Sequence, residues 1–162
     1  MPADVNKRVW ADEVIPHKVQ LQSPPYKITQ TINSAGQLSY DIEVLHNNCL
    51  FFNYLINTSR IHWRKEFEEV WQPHEAEERK AYIEANKFNI AGPKLNGAEI
   101  EEQKLHLINK IYAYGYLLHR YKDSNRPWCV FAMDNKPSEE GESHGGTGKS
   151  IAFKSLSYFM NT

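Results

Sequence analysis

The sequence predicts an α+β chain: a mostly helical module that opens on an N-terminal β-hairpin, followed by a strand, a Gly-rich loop and a helix. Three observations carry that prediction. Two β-rich runs flank a short turn between 26 and 44, helical apolar spacing fills most of 46–121, and a continuous apolar run at 128–133 precedes a polar, Gly-rich stretch.

Residues 1–25 mix charges with Pro2, Pro16, Pro24 and Pro25 and keep no apolar period, so an extended arm is expected there. From Tyr26, Ile28 and Ile32 alternate imperfectly with polar residues. Leu38, Tyr40, Ile42 and Val44 then alternate cleanly, and Ser34, Ala35 and Gly36 between the runs read as a hairpin turn. Across 46–71, Leu50, Phe51, Tyr54, Leu55, Thr58, Ile61, Trp63, Phe67, Val70 and Trp71 fall near helical spacing, and Pro73 ends the stretch. Pro73 also suits the start of a second helix, with acids in its first turn and an end near Ile90.

A loop with two glycines and a proline (91–97) leads into a third helix over 98–121, whose acids come first and whose His119 and Arg120 come last, as the helix dipole favours. Gly115 inside it costs about 1 kcal/mol relative to Ala, which predicts a close packing neighbour. The run WCVFAM (128–133) has the continuous apolar character of a fully buried strand. A polar stretch rich in Gly and Ser follows, and then a final helix carrying Ile151, Phe153, Leu156, Phe159 and Met160.

The 162 residues suit one domain with a real core. Lys plus Arg number 19 against 20 for Asp plus Glu, so no global positive field exists to grip nucleic acid, and any such binding must be local. Cys49 and Cys129 are too few for a disulfide framework and form no zinc motif; both are expected as small core hydrophobes in a reduced, cytoplasmic protein. No signal-peptide run and no apolar window long enough to span a bilayer occurs, so no membrane partner is expected.

The chemistry-bearing motif is Ser143, His144, Gly145, Gly146, Thr147, Gly148, Lys149 and Ser150, which matches the phosphate-binding frame G-x-x-x-x-G-K-[ST] except that Ser replaces the opening Gly. The glycines let backbone N–H groups turn inward around a β-phosphate, and the following helix presents its positive dipole end. Lys149 would bridge the β- and γ-phosphates, and the Ser150 hydroxyl would be a Mg²⁺ ligand. A bare G-K-[ST] arises by chance in roughly one chain in ten of this length. Two further in-frame glycines, with an apolar run before and an amphipathic stretch after, make chance the weaker explanation.

The segment 115–153, with Gly115, Tyr116, Leu117 and Leu118, the apolar run at 128–133 and the loop from Gly145 to Ser150, resembles the junction in phage and plasmid primase-helicases of the poxvirus type, which are superfamily 3 helicases. The helices over 46–120 are similar in architecture to the region preceding the ATPase core in that family. The connection DNKPSEEGES is longer than the family's usual turn. The resemblance implies ATP and Mg²⁺ as cofactors, nucleotide and DNA as partners, and a homo-oligomeric ring in the full-length protein. It also implies an acidic strand, a polar sensor and a neighbour's arginine, all beyond the loop by tens of residues. Only 12 residues follow Ser150, so the expectation is a fragment that is inactive alone: an arm (1–25), a hairpin plus helical module (26–122), and the incomplete start of a P-loop NTPase domain (123–162).

Elsewhere the sequence is less specific. Arg60, His62, Trp63, Arg64 and Lys65 could meet a DNA backbone and stack a base, but Glu66, Glu68 and Glu69 follow at once and favour a solvated helix face with Trp63 packed inward. No histidine pair has metal-binding spacing, and Ser143 beside His144 has no nucleophile-elbow context. Glu139, Glu140 and Glu142 oppose a nearby triphosphate unless they turn to solvent. The second reading is a non-enzymatic helical adaptor that binds DNA or protein through its hairpin and the 60–65 surface, with a degenerate phosphate loop.

Overall fold

The computed structural model describes residues 23–32, 34–69, 71–72, 75–118, 124–125, 127–132 and 149–158. It is an α+β chain in which a two-stranded antiparallel hairpin precedes the helices. Contacts divide the chain into two units, Ser23–Tyr112 and Met1–Gln22 with Ala113–Thr162.

In the first unit, strands β1 (Tyr26–Ile32) and β2 (Leu38–Val44) pair from Tyr26 opposite Val44 to Ile32 opposite Leu38. Gly36 makes the turn possible: its φ of 75° lies in the left-handed region that Cβ-bearing residues avoid. One face of the ribbon is apolar. Tyr26 stacks on Phe52 with ring centroids 5.2 Å apart, Ile42 is buried, and Tyr40 meets Tyr112 edge-on at 6.3 Å.

Helix α1 (Leu50–Ser59) buries Phe52, Leu55, Ile56 and Ser59, the spacing that puts side chains on one stripe. It stops well short of the expected 46–71 span. Near its end the Thr58 and Ser59 hydroxyls donate back to backbone carbonyls, Ser59 to Leu55 at 2.7 Å, and Arg60 leaves helical geometry with ψ 73°. The chain resumes with a turn at 61–62 and a short helical stretch that passes into a π-helical turn at Lys65–Glu69. A continuous α-helix would set residues 60 and 66 roughly 120° apart around its axis. The interruption lets both turn inward.

Helix α2 (Ala76–Asn86) has no fully buried residue of its own and carries Tyr82 and Asn86 toward the interrupted segment. Helix α3 (Gly97–Leu118) starts with a reciprocal cap. The Asn96 side chain accepts from the Glu99 N–H at 3.0 Å, and the Glu99 carboxylate accepts from the Asn96 N–H at 2.9 Å. Leu107 and Ile108 from α3 join Ile42, Phe52, Leu55, Ile56, Ile90 and Leu95 in the core.

In the second unit, the end of α3 is joined to residues 127–132 through Tyr116, whose hydroxyl accepts from the Trp128 N–H at 3.2 Å and donates to the Trp128 carbonyl at 3.1 Å. The buried strand expected at 128–133 is not present in its described part. Residues 127–132 carry neither strand nor helix, Trp128 and Phe131 are 72% and 80% exposed, and Cys129 is exposed rather than core. A fully buried strand needs neighbouring strands, and the sheet among the described residues is confined to β1 and β2. Gly115 has no atom within 4 Å of where a Cβ would sit, so the expected close neighbour is absent among the described residues. Helix α4 (Lys149–Lys154) runs into a 3-10 turn at Ser155–Tyr158.

Candidate functional site

Of the phosphate-loop residues, Gly145, Gly146, Thr147 and Gly148 lie outside the described residues, as do Ser143 and His144. Lys149 and Ser150 open helix α4, and Ser150 is exposed. Where this helix starts relative to the glycines lies outside the described residues. Among the described residues no group of three or more His, Cys, Asp or Glu side chains could hold a metal ion.

The side-chain constellation that the structure does assemble lies in the first unit and was not expected. Arg60 and Glu66 form an ion pair, Nη2 to Oε1 at 2.8 Å, with side-chain exposures of 2% and 0%. Tyr82 donates its hydroxyl to the same Oε1 at 2.9 Å, and Arg60 Nη1 donates to the Asn86 carbonyl. The guanidinium also sits 4.3 Å from the centre of the Phe67 ring. Gly92 closes the other side: a Cβ there would fall 1.7 Å from Glu66 Oε1. Only glycine lets the backbone lie against the carboxylate.

A neutral layer adjoins the pair. Gln103 of α3, fully buried, donates to the Ile90 carbonyl at 2.8 Å and accepts from the His62 N–H at 3.1 Å, which ties the 60–62 break and the 90–92 loop to one helix. Lys94 Nζ lies 3.5 Å from the centre of the Trp71 ring and 5.1 Å from that of Tyr82. Burial first, and then the hydrogen bond to Glu66, raises the Tyr82 phenol from 10.0 to about 12, so it is a hydrogen-bond donor throughout the physiological range. Chemically this is a clamp. Its charged atoms face one another, and a carboxylate with no exposed surface offers nothing to a substrate.

The reading of the 60–65 segment as a solvated face with Trp63 inward is corrected at Arg60 and at Trp63, while Arg64 is exposed. Arg60 is buried in the ion pair, His62 contacts Glu102 at 2.8 Å, and Lys65 is bound to Glu99. Trp63, expected to pack inward, is 44% exposed with the Arg64 guanidinium 5.5 Å from its ring centre. The tertiary neighbours of this stretch are acids, so most of its positive charge is neutralised within the fold. Cys49 is only half-buried, beside α1 rather than in the core.

The sequence signal for the Asn96–Glu99 cap was present as N-x-x-E ahead of an apolar-periodic stretch. No comparable signal marks Arg60 and Glu66, because neither residue type nor spacing separates them from surface charges. Comparison with protein-family models, with curated proteins and with solved structures returns no match for the chain. No helix among the described residues is long and apolar enough to cross a membrane.

Proposed function

We propose that the chain supplies the pre-ATPase helical region and the nucleotide phosphate-binding loop of a mobile-element DNA primase-helicase. The observation that carries this reading is the in-frame run Gly145, Gly146, Thr147, Gly148, Lys149, Ser150, whose last two residues lie in α4. The loop backbone and Lys149 would hold the β- and γ-phosphates of ATP, and Ser150 would offer its hydroxyl to Mg²⁺. The acidic strand, sensor and trans-acting arginine needed for hydrolysis would come from further protein, and this chain alone would not turn ATP over. DNA contact, and a ring, would belong to the complete protein.

A non-enzymatic adaptor is the second reading, and the exposure of Trp128 and Phe131 outside any sheet favours it. Titration with Mg-ATP separates the two when made on the chain continued through the ~150 residues that a complete core needs. Binding that is abolished by Lys149→Ala supports the helicase reading. Absence of binding by the longer chain overturns it in favour of the adaptor.

A further inference from the structure

The two outer edges of the β1–β2 ribbon are chemically unequal. The Leu45 N–H donates to the Pro25 carbonyl at 2.8 Å, which identifies Pro25 and Leu45 as a hydrogen-bonding pair at the open end of the hairpin. Antiparallel ladders alternate, so Lys27 with Glu43, Thr29 with Asp41 and Thr31 with Ser39 exchange bonds across the ribbon. The backbone groups of Ile28, Gln30 and Ile32 therefore face away from β2, and those of Tyr40 and Ile42 face away from β1.

On the β2 side that edge is closed. The Ile42 N–H, at its centre, donates to Asp41 Oδ1 at 2.9 Å, and Lys104 of α3 holds the same carboxylate at 2.7 Å. A second β2 laid against it about Asp41 would also oppose two like charges. Among the described residues the β1 side has no such guard. No described strand pairs with it, Thr29, Gln30, Thr31 and Ile32 are exposed, and its one charge, Lys27, stands opposite Glu43 within the ribbon. Ile32 at 69% and Leu38 at 55% exposure leave the apolar face uncovered at the tip.

The geometry points to β1 as a self-pairing edge, whose partner is the β1 strand of a second copy of this chain. Antiparallel pairing about a two-fold axis at Thr29 sets Ile28 against Gln30 and Tyr26 against Ile32 of the other copy, so every outward backbone group on one strand meets an outward group on the other. The two Thr29 side chains meet across the axis, no like charges oppose, and each Ile32 is laid beside the Tyr26 that stacks on Phe52. A four-stranded sheet with one continuous apolar face replaces two ribbons that are marginal alone. This inference stands independently of the nucleotide reading.

Sedimentation of the whole chain from ~1 to ~500 μM tests it, with two variants that spare the monomer. Gln30→Pro removes an outward N–H and leaves the β1–β2 ladder whole, and Thr29→Lys places like charges across the axis on the solvent face. The expected result is a mass rising from one toward two chains of 18.9 kDa, with the dissociation constant raised about tenfold or more by each variant while circular dichroism, and the thermal midpoint measured at concentrations where every chain is monomeric, stay unchanged. A chain that is monomeric throughout, as when another segment or a different protein is needed at the edge, overturns the inference. So does self-association that neither variant weakens.

Discussion

The Arg60 guanidinium lies 2.8 Å from the Glu66 carboxylate, and the two side chains come from either side of a break between α1 and a π-helical turn. Their pairing accounts for the break. Two charges taken out of water need each other and further partners: Tyr82 donates to the carboxylate, the Asn86 carbonyl accepts from the guanidinium, and the Phe67 ring lies against it.

Removing one partner leaves a buried charge uncompensated, so Arg60→Met or Glu66→Leu alone should cost about 3–5 kcal/mol in urea denaturation. The double substitution should recover most of that loss. A cost for each single variant no greater than a surface substitution would show that the pair is not desolvated in solution.

Gly92→Ala drives a methyl group into the carboxylate of Glu66 and should cost about 1–3 kcal/mol, the usual penalty of overpacking. The same change in an Arg60→Met/Glu66→Ala background should cost much less. A double-mutant cycle measures the coupling.

Gly115→Ala has the opposite expected sign. No described atom stands within 4 Å of the added Cβ, so helix propensity and the unfolded chain decide, and a gain of about 0.5–1 kcal/mol is expected by thermal unfolding. The close neighbour suggested by sequence would instead produce a loss.

At low pH, Asp41 and Glu99 set the response. The Lys104 ammonium hydrogen-bonded to Asp41, and the Lys65 ammonium hydrogen-bonded to Glu99, hold both carboxyls below their ordinary values. Their stabilisation is complete only above the unfolded values of 3.8 and 4.5 and is lost as pH falls from there through the depressed folded values. Lys104→Met should flatten the acid limb of a stability profile measured by urea midpoints.

At high pH, two groups oppose each other. Burial lowers the Lys110 ammonium from 10.5 to about 8, so between those values the unfolded chain holds more protons and stability rises with pH. Tyr82, raised from 10.0 to about 12, keeps a proton that the unfolded chain gives up, so stability falls in that interval. Lys110→Met should remove the rise and Tyr82→Phe the fall.

Local chemistry made part of this fold legible. Gly36 can adopt the positive φ of the turn, the alternation of Leu38, Tyr40, Ile42 and Val44 defines a strand face, and the stripe around Leu107 and Ile108 defines a helix. The errors share one cause. A run such as 128–133 becomes a buried strand only if other strands flank it, and 46–71 remains one helix only if no buried charge demands a turn. Of the phosphate-loop frame, Lys149 and Ser150 lie in α4 and the rest lies outside the described residues.

By itself, the amino-acid sequence determined the hairpin, the helical segments and the candidate phosphate frame, because turn conformation, apolar periodicity and glycine placement act over a few neighbouring residues. Only the tertiary structure decided which charges go inside. Arg60 and Glu66 are buried because Tyr82, Asn86 and Gly92 converge on them from other parts of the chain, while Gln103 ties the adjoining loops together. An ion pair is held out of water by the partners that such distant groups supply in place of solvent.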